Sequence, residues 1–456
     1  MATDGTWIGD PDYYEDFADG RNWLDGIVAS GSGATITLDP ADNSYIPTMH
    51  QPTEGTFNFV VQSGVEVRLD DWLDGAQIGN ILVNHDLTYV NCFGEVTGTT
   101  TVTAGSFYVY NYLNGAVSIG STGILGTSGS VTVSGAVTNN GFFYVASGTT
   151  TCNGLFTNNG TVDSSSSSTI DFNGGVTGGG TWGSEPGSVL TLVTGGAFNL
   201  TSATWNLGEG STLTVDDPAT VNLGTTEAIA NLTLYVKPDA NETVTLGASH
   251  SVQGFVFQAA STGILDGNGK TFTVGADGFD VESGTFAASK TLTVDLSGST
   301  GAYTQNGGTI ASGATLNVKV NNTGWYSAAL TNNGTLNIEI PSGKIVTSPW
   351  TLSIAATCPN LTVTGTYNPS GTTSIRKVAG SGAIGGTGQI RTRYILDDNF
   401  WTFNGSFTDT GGVWIQHSAA RSNDALINLG SQPLIVDGTS QGAAYALTLR
   451  GGLTCG

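Results

Sequence analysis

Two groups of side chains in the 456-residue sequence have the residue types that hydrolytic chemistry uses. Asp70, Asp71 and Asp74 stand beside Arg68 and Trp72, and glycoside hydrolysis works with paired carboxylates. In a strand, however, Asp70 and Asp71 face opposite sides, so this group reads as a solvated corner. The second group is Arg391, Arg393, Asp397 and Asp398 near Trp401. Arg391 and Arg393 share one strand face, which makes them, with Trp401, candidates for a glycan contact; a surface ion pair is the alternative. Tyrosines give a third candidate. Phe107, Tyr108, Tyr110 and Tyr112 alternate along one stretch, and Phe142, Phe143 and Tyr144 follow at the next comparable position. Tyr108, Tyr110 and Tyr112 on one strand face would make a sugar-stacking strip, against the alternative of ring stacking within a core.

Other motifs point away from catalysis. His50, His85, His250 and His417 show neither HxH nor HExxH spacing, so no metal site and no cofactor is expected. Asp266-Gly-Asn-Gly-Lys270 has calcium-loop composition but lacks the downstream acidic ligand of an EF-hand, and it reads as a β-turn. The glycine-rich run from Gly174 to Gly180 has no Lys and no following helix, which a phosphate loop needs.

The elements that must hold these residues follow from a repeat. Turn-like groups recur at Gly75-Ala-Gln-Ile, Gly94-Glu-Val-Thr, Gly115-Ala-Val-Ser, Gly135-Ala-Val-Thr, Gly154-Leu-Phe-Thr and Gly174-Gly-Val-Thr, a period of about 20 residues. Asn-Asn-Gly directly follows the groups at 135 and 154, and suits a corner because Asn and Gly tolerate positive φ and stacked amides can bond along a ladder. Short β-rich runs at this period predict an all-β chain, a right-handed parallel β-helix (β-solenoid) of about 20 residues per coil. Val96, Val117, Val137, Phe156 and Val176 are expected to point inward, with Thr97, Ser118, Thr138, Thr157 and Thr177 outward. After residue 190 the strand recurs as Ser211-Thr-Leu-Thr-Val, Lys270-Thr-Phe-Thr-Val, Lys290-Thr-Leu-Thr-Val, Ala314-Thr-Leu-Asn-Val and Gly334-Thr-Leu-Asn-Ile. Roughly 20 coils stacked at the interstrand spacing would span on the order of 95 Å.

This division gives three regions: an aromatic and acidic segment over 1–54, a regular solenoid over 55–190 and a less regular one over 191–456. The first holds Trp7, Tyr13, Tyr14, Phe17 and Trp23 among Asp4, Asp10, Asp12, Glu15, Asp16, Asp19 and Asp25. It is expected either to cap the exposed first coil or to anchor the chain to a larger assembly through those rings. The last residues continue the coil grammar without a closing segment, as if the native chain ran on or another copy covered the end.

Composition narrows the partners. Only 11% of residues are charged and 67 are Gly, with a formal charge of -23. That content of charge is about half the usual, while 38% hydrophobic residues supply enough apolar area to order the chain. From residue 69 to residue 236 there is no Lys or Arg, so no basic stripe can follow a phosphate backbone and no nucleic-acid partner is expected. No apolar run reaches the roughly 18 residues of a membrane span. Cys92, Cys152, Cys358 and Cys455 lack metal-knuckle spacing and are expected as isolated thiols. Cys92 and Cys152, three coils apart, would be about 14 Å from each other, too far for a disulfide.

The pattern Trp7-x-Gly9…Asn22-Trp23-Leu-Asp-Gly26…Gly33-Ala-Thr-Ile-Thr-Leu38, followed by Asn-Asn-Gly coils, resembles the opening of bacterial surface and autotransporter-like β-helical proteins and the β-helical shafts of bacteriophage tail fibres and spikes. The N-terminus carries no basic and apolar export signal, and phage structural proteins leave the host by lysis. The expectation is therefore a non-enzymatic virion protein, a fibre, spike or capsid-decorating appendage on the extracellular face. It would be a homo-oligomer, joined to other virion proteins through 1–54 and able to bind host polysaccharide. The alternatives are a secreted adhesin or filament subunit, and a polysaccharide-degrading β-helix enzyme.

Overall fold

A computed structural model of the chain describes residues 2–8, 21, 23–39, 55–62, 66–69, 76–165, 167–216, 219–260, 262–322, 325–327, 331–347, 359–375 and 377–392. It also describes short strands at 402–403, 406–407, 413–415, 426–427 and 434–436. The fold is an all-β parallel solenoid of about 14 turns with about 21 residues per turn. The chain divides into two compact units, one reaching from the N-terminus to Val215 with 219–225 and 230–232, the other formed by 216–218, 226–229 and the rest.

In the first unit each coil contributes strand to three faces. The first is the ladder Thr100, Val117, Val137, Phe156, Val176, Phe198 and Val221, each residue paired in parallel with the next. The second carries Val90, Phe107, Leu125, Phe143, Val162, Trp182 and Trp205. The third carries Leu113, Val133, Cys152, Phe172, Thr194 and Val215. Strand alternation sends these columns inward and their neighbours outward. The interior is a continuous aromatic stack: Phe143 meets Phe156 at 5.1 Å, Phe156 meets Phe172 at 5.1 Å, and Trp182 meets Phe198 at 5.8 Å. Edge-to-face and tilted pairs of this kind add about 0.5–1.5 kcal/mol each beyond burial.

The expected column holds from Val117 to Val176, and Val96 is buried as expected but belongs to a different column. Val96 bridges Ile78 and Leu113, and the residue beneath Val117 is the buried Thr100. The coil from Thr100 to Val117 is only 17 residues long, so a frame counted at 20 slips there. The same slip displaces the glycine column. It runs through Gly98, Gly115, Gly135, Gly154 and Gly174, where a Cβ on Gly115 would lie 2.0 Å from the Gly98 oxygen and one on Gly135 2.2 Å from the Gly115 oxygen. Backbone closeness, not left-handed φ, fixes these glycines.

The Asn-Asn-Gly corner also works differently from expectation. None of Asn139, Asn140, Gly141, Asn158, Asn159 and Gly160 has positive φ. Instead the first Asn points inward and the second outward, giving two amide ladders. Asn139 Nδ2 donates to Asn158 Oδ1 at 2.8 Å and to the Thr161 carbonyl at 2.9 Å, with both asparagines fully buried. Asn159 Nδ2 donates to Asn140 Oδ1 at 3.0 Å outside. Buried amides of this kind are tolerated because their hydrogen bonds are made within the stack.

The ladder begins before residue 55. Gly5–Trp7 pairs in parallel with Thr35–Leu38, which pairs with Gly55–Val61, so coils already lie within 1–54. Trp7 and Trp23 are 3% and 2% exposed and meet edge to face at 5.4 Å. Both rings therefore lie within the first unit's core. Tyr13, Tyr14 and Phe17 lie outside the described residues.

In the second unit Thr291–Asp295, Thr315–Lys319 and Thr335–Ile340 stack in the frame read from the sequence. Lys270-Thr-Phe-Thr-Val joins them displaced by two residues, Phe272 facing Val294. A two-residue slip preserves which side chains face inward. Further on, the three faces are three separate ladders, one running through Ile345–Val346, Thr366–Tyr367, Ala383–Ile384 and Ser406–Phe407. The Asp266–Lys270 segment is a turn, with Asn268 at φ 46 and its N–H on Asp266 Oδ1 at 2.8 Å.

Cys92 and Cys152 are both buried and free, but they do not share a column: Cys92 lies between Leu69 and Val109, Cys152 between Val133 and Phe172. Burial, and then Asp171, push the Cys152 thiol far above its ordinary range. Two outcomes follow. Gly135→Ala should destabilise by about 1–3 kcal/mol through overpacking, whereas the exposed Thr138→Ala should change stability by less than about 0.5 kcal/mol, both read from chemical denaturation. Cys152 should resist an aromatic disulfide reagent in the native protein and react at once in denaturant, which mass spectrometry of the labelled peptide resolves.

Candidate functional site

The outward side of the second face in the first unit carries solvent-facing rings from neighbouring coils. One outward column there reads Asn91, Tyr108, Gly126, Tyr144 and Asp163. Beside it run Ser106, Ile124, Phe142 and Thr161. Alternation sorts the aromatic stretches: Phe107 and Phe143 are fully buried, while Tyr108, Phe142 and Tyr144 are half-buried on the outside. Alternation therefore splits these stretches between the core and the outside. Phe107 and Phe143 lie in the core, and the Tyr108 and Tyr144 rings face outward.

The rings form a pavement of two pairs, one across coils and one within a strand. Tyr89 lies 4.9 Å from Tyr108, and Phe142 lies 5.9 Å from Tyr144 in a stacked arrangement. Gly126 makes this possible, because a Cβ there would stand 2.3 Å from Tyr108 Cδ1; the Tyr108 ring lies over its backbone. Phe93 and Tyr110 stack at 4.3 Å and 9° at the neighbouring corner, and Tyr110 Oη donates to Asn91 Oδ1 at 3.3 Å.

Tyr112 does not join this surface. A bend at 110–111 carries it round the corner, where it pairs with Thr132 and stands 48% exposed on the third face. Sequence parity groups Tyr108 with Tyr112, but parity does not register a corner. Tyr89 and Phe93, which sequence analysis passed over, join through the coil offset: Asn91 faces Tyr108, so rings near residue 90 meet rings near residue 108.

The electrostatics are those of a ring surface without cations. Burial, then the neighbouring Tyr144 and Tyr110 phenols, raise the Tyr108 hydroxyl above the ordinary tyrosine range. Burial also raises the Asp163 carboxyl, against a lowering by the Ser164 N–H that it accepts at 2.8 Å.

The second unit offers a polar groove of about 450 Å³ lined by Asn317, Lys319, Asn337, Glu339 and Asn360 among others. Its amides are committed to each other: Asn360 donates to Asn337 and Asn337 to Asn317, both at 2.8 Å. Lys319 pairs with Asp295 at 3.8 Å. Of the arginine group, Arg391 lies in the strand Gln389–Thr392 opposite Ser374 and Trp414. Arg393, Asp397, Asp398 and Trp401 lie outside the described residues, as do Asp70, Asp71, Trp72 and Asp74. His250 packs in the core against Phe272 at 5.6 Å. Among the described residues no group of three or more His, Cys, Asp or Glu is placed to hold a metal.

The raised Tyr108 hydroxyl gives a pH prediction with a definite sign. The folded state holds this proton more tightly than the unfolded state, so its contribution to stability is complete below the ordinary tyrosine range and is lost as pH rises through the folded value. Absorbance titration should show a late phenol step that Tyr108→Phe removes, and the variant should lose less stability than the parent between about pH 9 and pH 11. Comparison with protein-family models, curated proteins and solved structures finds no match to this chain.

Proposed function

We propose that the chain is a non-enzymatic structural protein of a bacteriophage virion, a fibre, spike or capsid-decorating appendage, which serves as a rigid spacer and presents a glycan-stacking face. The observation that supports this reading is the solvent-facing pavement of Tyr89, Tyr108, Phe142 and Tyr144, held on a parallel ladder. Half-exposed rings on a rigid sheet lose little freedom on binding and offer flat apolar area with a polar edge, the surface that the face of a pyranose ring matches. Each such contact is weak. Several copies of the protein on one particle would bind a repeating surface polysaccharide through avidity. Attachment to other virion proteins through residues 1–54 and self-association belong to the same reading.

The test is to incubate the purified protein with bacterial surface polysaccharides, then measure bound polymer and polymer length. The expected result is retention of at least one polysaccharide at unchanged chain length, with affinity lowered about tenfold or more in Tyr108→Ala, which removes about 1.4 kcal/mol or more. Shortening of the polymer would replace this reading with an enzymatic one. A folded protein that retains none of them would remove the glycan-binding role.

A further inference from the structure

The charge around the aromatic pavement restricts what can lie on it. From residue 69 to residue 236 the chain has twelve Asp and Glu residues and no Lys or Arg. Every coil that contributes a ring to the pavement falls within that stretch. Asp163 follows Tyr144 in the same outward column, one coil further on, which places its backbone about 4.8 Å from that of Tyr144. Asp86 and Glu95 are exposed on the coil that supplies Tyr89 and Phe93. The nearest basic residue in register is Arg68, one coil before Asn91 at the far end of that column from Asp163; the coils of Tyr108 and Tyr144 carry no Lys or Arg to neutralise a carboxylate, sulfate or phosphate on a ligand. An acidic glycan would meet ring faces that carry partial negative charge and carboxylates that repel it.

A ligand with its own positive charge meets the opposite situation. Ring faces attract an ammonium group within about 6 Å, by roughly 0.5–1 kcal/mol at exposed sites, and a carboxylate one strand away adds a partner of opposite charge. Building on the glycan-stacking reading, we infer that the Tyr89–Tyr108–Tyr144 face selects amino sugars with a free ammonium group, with Asp163 as the partner of that ammonium. The sugar ring would stack on Tyr108 or Tyr144 while its amine turns toward Asp163. Acidic polysaccharides are excluded by the same surface.

Three oligosaccharides of equal length separate the possibilities: oligomers of glucosamine, of N-acetylglucosamine and of galacturonate. They are titrated calorimetrically at near-neutral pH against the full chain and its variants. The glucosamine oligomer should bind several-fold more tightly than the acetylated one, and galacturonate should not bind. Raising salt from about 50 mM to about 300 mM should shrink the difference, because exposed charges are screened. Asp163→Asn should bring glucosamine down to the acetylated oligomer's affinity while leaving the latter unchanged. Tyr108→Ala should weaken both.

Equal binding of the glucosamine and acetylated oligomers, or binding of galacturonate, would overturn the charge selection while leaving the stacking face intact. Binding of glucosamine that Asp163→Asn does not alter would overturn the role of Asp163. A wild-type protein that binds no oligomer, yet retains a different polysaccharide lost in Tyr108→Ala, would sink this inference alone. If Tyr108→Ala also made no difference there, the stacking reading would fall with it.

Discussion

Every feature of this protein is subordinate to one constraint: each coil must hydrogen-bond its backbone to the coil before and the coil after. Parallel strands separated by about 4.8 Å leave no freedom in that direction. Whatever occupies a position is therefore packed against whatever occupies the same position one coil away. Val117, Val137, Phe156 and Val176 stack on one another because an inward column buries its side chains against those of the next coil. Asn139 and Asn158 stack because a buried amide finds its donor or acceptor in the next amide. Gly115 and Gly135 stack because at that corner successive backbones come too close for a Cβ. The repetition in the sequence is the trace of this requirement.

The constraint acts on position in the coil, not on residue count, and that difference governs what could be read in advance. Strand parity, the parallel solenoid and the inward columns from Val117 to Val176 were legible because hydrophobic alternation survives any even shift. Absolute register was not. The 17-residue coil that puts Thr100 beneath Val117, and the two-residue offset of Phe272 against Val294, leave parity unchanged while moving every column. Chain separation also cannot report where a coil turns. Tyr108 and Tyr112 look equivalent by alternation, and a bend at 110–111 puts them on different faces. Cys92 and Cys152 were correctly expected as free thiols on the premise of one shared column, yet they occupy two.

The same stacking limits what an outward residue can do. The asparagine ladder Asn317, Asn337 and Asn360 faces outward, but Asn360 donates to Asn337, Asn337 to Asn317 and Asn317 to the Thr293 hydroxyl, and Lys319 is drawn toward Asp295 in the adjacent coil. Polar side chains on successive coils satisfy each other first, so a polar groove in a solenoid is poorer in available hydrogen bonds than its composition suggests. Aromatic rings differ. Stacking one ring against its neighbour uses an edge or one face and leaves the other face available.

Gly126 illustrates how a stacked column is turned into a binding surface. A side chain between Tyr108 and Tyr144 would either separate the rings or lift Tyr108 off the sheet, since a Cβ alone would come within 2.3 Å of its ring. With glycine there the ring lies over the backbone and is partly desolvated, which is the cause of its raised hydroxyl. The face that results is apolar, rigid and built on coils whose only charged side chains are acidic. Rigidity follows from the ladder, apolarity from the rings and charge sign from the absence of Lys and Arg in those coils. Each of the three comes from a different level of the sequence, and a ligand must meet all of them at once. An uncharged stacking sugar satisfies the first two alone, whereas a sugar with an ammonium group satisfies the third as well.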